Sequence, residues 1–520
     1  MTKQKSTGSF YTPFQVSNFI SKYLYNKITN KNIISILEPS VGDGSFVDAL
    51  VKNINKNCKV NITIVDINNI ELEKAKIKAI NSRIFNKIES YNKDFLNFYY
   101  DDSSKYSLVL GNPPYVKSNL LDNEQLELCK RIHKEANLKS YRIKNLWTPF
   151  VIGSCNLLEE DGIIAFVLPT DLLQVKYAEE IRSYLTDNFE RIEIFTLDRF
   201  AFSDIEQHTM ILFAYKKSSD KGTFFYSISD IEKIKYSKIS SNGLMIYEYK
   251  WTHYNLNQKE IKLLNKINER LDRVTKFIDS KPGIVTGANK YFIIDQKTLE
   301  QYKLHNYVEP ILQKSLFVQS NFEITKDIIQ TLKDKNKPMY LLNIKETTKI
   351  NKDLIFYLDI GIKNNIDKRY KCSIRNKWFC IPNITNYTDG FIFKRYHKFP
   401  KVIKDSCGIH VTDGAYKITM KTGYDINSFI YSFFNIITLI FAELTGRKYG
   451  GGVMELIPSE FKNLPMYYNQ IDEQKFKNFK ENFNKNEKLT DDVFEYLELS
   501  HDEVNSLYEI YNKLINARMH

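Results

Sequence analysis

The apolar positions in the first half of the chain fall into short runs, and each run is followed by polar or glycine-bearing residues. Ile33–Leu37 stops at Glu38-Pro39, and Val60–Val65, rich in β-branched residues, stops at Asp66. Ile88–Tyr91 precedes Asp94, Leu108–Leu110 stops at Gly111, and Ile163–Leu168 follows a Glu-Glu-Asp-Gly loop ending at Gly162. Between these runs the spacing becomes helical, over Ser45–Asn53, over Glu71–Ile80 and over Trp147–Leu158. Ile192–Thr196 and Thr209–Ala214 extend the pattern. Strands that alternate with helices predict a mostly parallel sheet covered on both faces. In such sheets ligands sit outside the carboxyl ends of the strands. Glu38, Asp66 and Asn112 occupy such ends, so they are expected to converge on one rim.

From 216 to 256 the pattern breaks into short polar and aromatic pieces, which places a domain boundary near 245. A helix is expected over 255–275, and beyond it the chain is irregular, aromatic and basic. The apolar stretch Phe429–Ala442, interrupted by Ser432, Asn435 and Thr438, is too short to span a bilayer and is expected as one buried helix. The last fifty residues are amphipathic through Val493, Leu497, Val504, Leu507 and Ile510, which predicts one or two closing helices. The expected organisation is 1–245, 246–470 and a helical tail over 471–520.

Charge sharpens this division. The chain of 520 residues carries a net +12, distributed as +3 over 1–250, +13 over 251–470 and −4 over 471–520. A general bias toward lysine would have loaded both halves, so the regional excess points to a polyanionic partner. Within it, residues 363–404 interleave Lys371, Arg375, Lys394, Arg395 and other cations with Tyr370, Trp378, Phe393, Tyr396 and Phe399. Such interleaving suits phosphate contacts combined with base or sugar packing, and it also suits a solvated charged face over an aromatic core. The loop Thr286-Gly287-Ala288-Asn289-Lys290 could approach a backbone closely, and Gly450-Gly451-Gly452 makes either a hinge or a close approach. Six cysteines with no Cys-x-x-Cys pair indicate a reducing compartment, hence the cytoplasm. The polar N-terminus has no signal-peptide core, no membrane partner is expected, and no residue spacing suggests a metal site.

The candidate chemistry gathers at the predicted rim. Asn112-Pro113-Pro114-Tyr115 is a rigid turn at a strand end. The Asn112 side-chain oxygen and the Pro113 carbonyl can accept from an amino group, and Tyr115 can lie against a planar ring. Gly42-x-Gly44 follows a buried strand and precedes a helix, which lets backbone approach a ligand, although Val47 stands where a dinucleotide fingerprint would have its third glycine. Asp66 is placed either to grip a ribose diol or to close an ordinary strand-end turn. Asp94 could accept from an adenine amino group, with Phe95 over the ring, or could simply cap the helix that follows.

In order, the chain runs Thr7-Gly-Ser-Phe-Tyr-Thr-Pro13, Leu37-Glu-Pro-Ser-Val-Gly-Asp-Gly-Ser-Phe46, Asp66, Asp94-Phe95 and Asn112-Pro-Pro-Tyr115. This set resembles the gamma-class adenine DNA methyltransferases of bacterial restriction–modification systems. The similarity continues more loosely through Gly283–Asn289, Lys371–Trp378 and Arg447–Leu456. It implies a Rossmann-like α/β catalytic domain that uses S-adenosyl-L-methionine, followed by a mixed α+β target-recognition domain. By the resemblance Tyr11, Thr12 and Pro13 close over the methionine part of the cofactor. Glu38 accepts from its ammonium, Gly42 and Gly44 pass beneath it, Asp66 binds the ribose, and Asp94 and Phe95 hold the adenine. Asn112, Pro113 and Tyr115 hold a flipped adenine, with Phe202 or Phe200 as a second stacking ring, and His208 has a structural role. Asn289, Lys371, Arg375, Lys394, Arg395 and Arg447 are the expected DNA contacts. The partner is double-stranded DNA, the chain acts as a monomer, and any cognate restriction endonuclease is a separate protein. The loop departs from the common Ala-Cys-Gly-Ser-Gly pattern, reading Ser-Val-Gly-Asp-Gly, but keeps both glycines. A methyltransferase acting on ribosomal RNA adenine or on protein glutamine shares the Asn-Pro-Pro-Tyr turn but has no need of so large a basic second half.

Overall fold

The computed structural model describes residues 11–28, 33–54, 58–138, 143–197, 209–233, 235–241, 250–252, 256–318, 321–382, 384 and 388–519. The chain divides into two compact units, Met1–Asn265 and Lys266–Met519. The division falls inside the helix Gln258–Arg270 rather than near 245, and 471–519 belongs to the second unit rather than forming a separate tail.

The first unit is built on one nine-stranded sheet. Its strands are β1 (Ile33–Glu38), β2 (Lys59–Asp66), β3 (Phe85–Asn92), β4 (Tyr106–Gly111), β5 (Leu158–Pro169), β6 (Arg191–Leu197), β7 (Thr209–Tyr215), β8 (Gly222–Asp230) and β9 (Lys235–Ser241). Their spatial order is β3-β2-β1-β4-β5-β7-β6-β8-β9. The strands from β3 to β5 run parallel, and β7 runs antiparallel to both β5 and β6. β8 and β9 occupy the stretch expected to be irregular. Phe224, Phe225, Tyr226 and Ile228 of β8 are buried, and the partner strand β9 closes the edge.

The alternation of side chains divides the core in two. Leu108, Leu110, Ile163, Ala165 and Val167 pack on one face with residues of helices α1 (Phe14–Ile28), α2 (Ser45–Asn53) and α3 (Asn69–Ser82). Val109, Ile164, Phe166 and Leu168 pack on the other face with residues of α4 (Phe95–Asp101), α5 (Asn123–Glu135) and α6 (Trp147–Asn156). Register fixes the rim. Leu37 lies opposite Val109, Glu38 opposite Ile64 and Asp66 opposite Asn92.

The second unit is mixed α+β, as expected. A five-stranded sheet orders Ile278–Pro282, Ala415–Met420, Gly390–Phe393, Val402–Asp405 and Glu323–Ile324. A smaller three-stranded sheet pairs Arg395–Tyr396 and Arg447–Tyr449 with Val453–Glu455. The stretch expected as one buried helix is two, Ile426–Phe433 and Ile436–Thr445. Asn435, read in the sequence as an interruption, is the N-cap that starts the second, its Oδ1 accepting from the Thr438 amide at 2.9 Å. Three helices close the chain, Glu473–Asn486, Asp492–Tyr496 and His501–Met519. The last is held by a buried ion pair, Arg518 Nε to Glu443 Oε2 at 2.8 Å.

Candidate active site

The carboxyl ends of β1, β2 and β4 and the turn that follows β3 meet at a cleft of about 270 Å³. Tyr11, Gly42, Asp66, Asp94, Phe95, Asn112 and Pro113 all line it. Seven residues chosen from separate stretches of sequence are thus brought to one place in the first unit.

The β1 side is shaped by left-handed backbone, which favours glycine. Gly42 has φ +52°, and a Cβ there would face the Tyr11 ring at 3.5 Å. The Gly42 amide donates to Asp66 Oδ2 at 2.8 Å, and the Asn68 amide donates to Asp66 Oδ1 at 2.7 Å. The strand-end turn expected of Asp66 is therefore present. It ties the strand-end turn to the glycine loop and still faces the cleft, with burial raising its carboxyl above the usual range. Gly44 (φ +80°) has a different task. It precedes α2, and a Cβ there would lie 3.1 Å from the Ala75 backbone, so it lets two helices touch and does not line the cleft. Thr12 is buried, and neither it nor Pro13 lines the cleft. Of the N-terminal trio only Tyr11, 46 % exposed, does.

Glu38 closes the back of the β1 strand end. It is fully buried, and neither carboxylate oxygen has a hydrogen-bond partner. Burial, then Asp43 and Asp66, push its pKa well above the ordinary carboxyl value. A buried carboxylate without a partner is costly, and a cationic ligand group would relieve that cost.

Asp94 caps the helix that follows it and also lines the cleft. Its Oδ1 accepts from the Leu96 amide at 2.9 Å and so caps α4, while its Oδ2 accepts from Gln125 Nε2 at 2.7 Å. Gln125 belongs to a capping box, since Asp122 Oδ1 accepts from its amide at 2.8 Å. The sequence reading passed over Gln125, although Asp122-x-x-Gln125 before a helix is the signal that would have placed it. Phe95 is buried against Phe150, ring centroids 4.6 Å apart, and both rings line the cleft with Leu120, Leu121 and Leu146.

On the β4 side, Ser40 Oγ donates to the Asn112 carbonyl at 3.2 Å, fastening the Asn-Pro-Pro turn to the loop after β1. Tyr115 sits deeper than a stacking residue was expected to. It is 8 % exposed, it is not part of the cleft lining, and its hydroxyl donates to the Val167 carbonyl at 3.0 Å. Burial pushes that hydroxyl's pKa well up. Phe202, Phe200 and His208 lie outside the described residues.

The expected DNA contacts fall in the second unit, where several cations are already engaged. Arg375 Nη2 donates to the Thr286 and Val285 carbonyls at 2.8 and 3.1 Å. Arg395 pairs with Glu455 at 3.1 Å and Arg447 with Glu460 at 3.3 Å. Asn289 Oδ1 accepts from the Thr286 hydroxyl. Lys371 is exposed and Lys394 half-buried.

The first-unit residues fit S-adenosylmethionine. The orphaned Glu38 carboxylate matches an ammonium group, Asp66 retains acceptor capacity for hydroxyls, and Phe95 and Phe150 form an apolar wall for a flat ring.

Comparison with known proteins agrees with this. Residues 17–202 match the family described as Eco57I restriction-modification methylase, and residues 248–499 match the Type II methyltransferase M.Eco57I, C-terminal domain. Type II methyltransferase M.AccI of Acinetobacter calcoaceticus is 25% identical over 398 residues, covering 73% of this chain and 70% of that protein. M.HindII of Haemophilus influenzae is 24% identical over 398 residues, covering 71% and 69%. The solved structure of the Type IIL restriction-modification enzyme MmeI in complex with DNA shares the fold, with a TM-score of 0.59 at 11% identity over 99% of this chain and 76% of that one. Among the described residues no helix is long and apolar enough to cross a membrane. With both halves of one methylase matched in order along it, the chain belongs to the S-adenosylmethionine-dependent methyltransferases of Type II restriction–modification systems.

Proposed function

We propose that this methyltransferase modifies the exocyclic amino nitrogen of an adenine flipped out of duplex DNA at a specific short sequence. The observation that supports this reading is the meeting of the Asn112-Pro113 turn with Gly42, Asp66 and Asp94-Phe95 in one cleft. S-adenosylmethionine supplies an activated methyl group on sulfur. Glu38 holds its ammonium, Asp66 its ribose, and Asp94 with Phe95 its adenine, while Tyr11 covers the loop at Gly42.

A base within a duplex cannot enter the cleft, so extrusion comes first, at a cost of a few kcal/mol. The amino nitrogen of adenine is a poor nucleophile because its lone pair is delocalised into the ring. The Asn112 side-chain oxygen and the Pro113 carbonyl accept hydrogen bonds from its two N–H groups and draw the nitrogen toward tetrahedral geometry. That localises the lone pair and aims it. Tyr115, fixed through Val167, backs the base site from behind the cleft lining, and Phe202 or Phe200 supplies the second ring. Positioning and fixed dipoles supply most of the acceleration.

The basic second unit, through Lys371, Lys394 and their neighbours, engages double-stranded DNA. The enzyme works as a monomer in the cytoplasm, and any cognate restriction endonuclease is a separate protein. The test is transfer of a tritiated methyl group to genomic DNA by the purified chain, followed by single-molecule mapping of modified bases. Modification confined to N6 of adenine within one short sequence is the expected result. Labelled cytosine, or label on RNA or protein alone, would overturn the proposal.

A further inference from the structure

Two loops of the second unit that the sequence marks separately, 283–289 and 371–378, form a single locked body. Gly287 has φ +78°, and a Cβ there would stand 2.8 Å from Lys371 Cβ, so the approach of the two loops requires glycine. Arg375 bridges them, donating to the carbonyls of Thr286 and Val285 on one loop and, through Nη1, to Trp378 on its own at 3.2 Å. Thr286 and Cys372 are buried behind this contact. Gly361 makes room beneath it, because a Cβ there would collide with Trp378 at 2.4 Å.

What the locked body turns outward is unusual. Tyr370 is 73 % exposed, more than any other large apolar side chain among the described residues, with Ile374 at 62 % and Val285 at 43 %. Lys371 and, at the ends of the two loops where Tyr370 also lies, Lys290, Lys368 and Arg369 are all exposed. Apolar side chains on a preorganised platform lose little freedom when they bind. The surrounding cations select a polyanion with apolar surface recessed between its charges, which describes a duplex groove flanked by phosphates.

We propose that this double loop is a duplex-contacting knob. Tyr370 and Ile374 pack within a groove against sugars and base edges, Lys368, Arg369 and Lys371 reach the flanking phosphates, and Arg375 is an internal strut that touches no DNA. The proposal rests on the reading of the chain as a DNA methyltransferase and names the surface it would use.

The two kinds of contact separate by salt dependence, since only phosphate neutralisation releases counterions. Binding of a fluorescent duplex containing the mapped methylation site is measured by anisotropy across a salt series. The double variant Tyr370→Ala/Ile374→Ala is expected to bind about tenfold or more weakly with an unchanged slope of log affinity against log salt. Tyr370→Phe should restore most of the loss. Lys371→Ala is expected to make the slope shallower by about one. Wild-type affinity in the double variant, or a loss accompanied by a shallower slope, would overturn the knob while leaving the methyltransferase reading intact. Self-association of the unbound chain in sedimentation that disappears in Tyr370→Ala would assign the surface to a second copy and overturn it as well. Absence of methyl transfer to any DNA by the wild-type chain would instead remove the underlying reading.

Discussion

Gln125 Nε2 donates to Asp94 Oδ2 at 2.7 Å, so a residue thirty-one positions later, in the first turn of α5, orients the carboxylate at the cleft. Asp94 Oδ1 is already committed to capping α4. The Gln125 contact therefore sets which lone pairs remain toward the cleft. Gln125→Ala is expected to weaken S-adenosylmethionine binding about fivefold to tenfold, the scale of one hydrogen bond at about 1 kcal/mol, with little change in Tm. Titration calorimetry of the purified variant checks both.

Under the proposed reading, Glu38 makes cofactor binding pH-dependent. Its folded-state pKa lies above the ordinary carboxyl value of 4.5, so between that value and the raised one the folded chain keeps a proton that the unfolded chain has lost. Stability of the ligand-free chain accordingly falls as pH rises through that window, and the full cost is present above it. Binding the cofactor's ammonium favours the carboxylate, so binding releases a proton and affinity rises with pH through the same window. Glu38→Gln is expected to raise the Tm of the ligand-free chain at neutral pH. It should weaken cofactor binding about 10- to 100-fold, as loss of a charged hydrogen bond implies, and abolish the proton release. Calorimetry in buffers of different ionisation enthalpy measures the proton directly.

The two loop glycines should fail in different ways. Gly44→Ala forces a Cβ to 3.1 Å from the Ala75 backbone in a left-handed conformation, and is expected to cost about 2 kcal/mol of stability and lower Tm by several degrees. The folded fraction should still bind cofactor normally. Gly42→Ala meets only the Tyr11 ring, so its cost in stability is smaller and its cost in cofactor affinity larger. Thermal melts with and without cofactor distinguish the two.

Asn112→Ala is expected to retain cofactor and duplex binding while slowing methyl transfer about 10²- to 10³-fold, as removal of one transition-state hydrogen-bonding group does elsewhere. Single-turnover measurements with saturating DNA give the chemical step. Full activity would remove the proposed role of this side chain.

Lys394 and Arg395 differ in availability. Arg395 is paired with Glu455 and lies over the Tyr449 ring, 5.5 Å from its centroid, whereas no ion pair is formed by Lys394 among the described residues. Replacing both with alanine is expected to weaken duplex binding and reduce its salt slope by one to two, with Lys394→Ala alone supplying about one. Anisotropy across a salt series reads this, and an unchanged slope would exclude the pair from the DNA surface.

The rim was legible because β1 and β2 each announce their end. Glu38 and Asp66 are single acidic residues that follow largely apolar, β-branched runs, and a prolyl turn follows β4. The double service of Asp66 and Asp94 was legible only as alternatives, because a carboxylate has enough lone pairs to cap a helix or a turn and still face a ligand. The direction of β7 had no local sign, since an antiparallel strand buried on both faces reads like a parallel one. Arg375 shows the limit most plainly. In the sequence it is one cation among many, and only its bonds to the Thr286 and Val285 carbonyls, beside the close approach of Gly287 to Lys371 Cβ, reveal that it points inward.

The strand order β3-β2-β1-β4-β5 reverses between β1 and β4, and the segments leaving those two strands diverge there. Under the proposed reading, the donor of the methyl group is gripped from β1, β2 and β3, and its acceptor from the far bank, β4 and β5. The two banks leave the sheet as separate loops, although strands of both contribute side chains to each face of the core. A lineage can therefore remodel what it modifies by altering the second bank while inheriting the first unchanged, so the currency stays fixed as the customer changes.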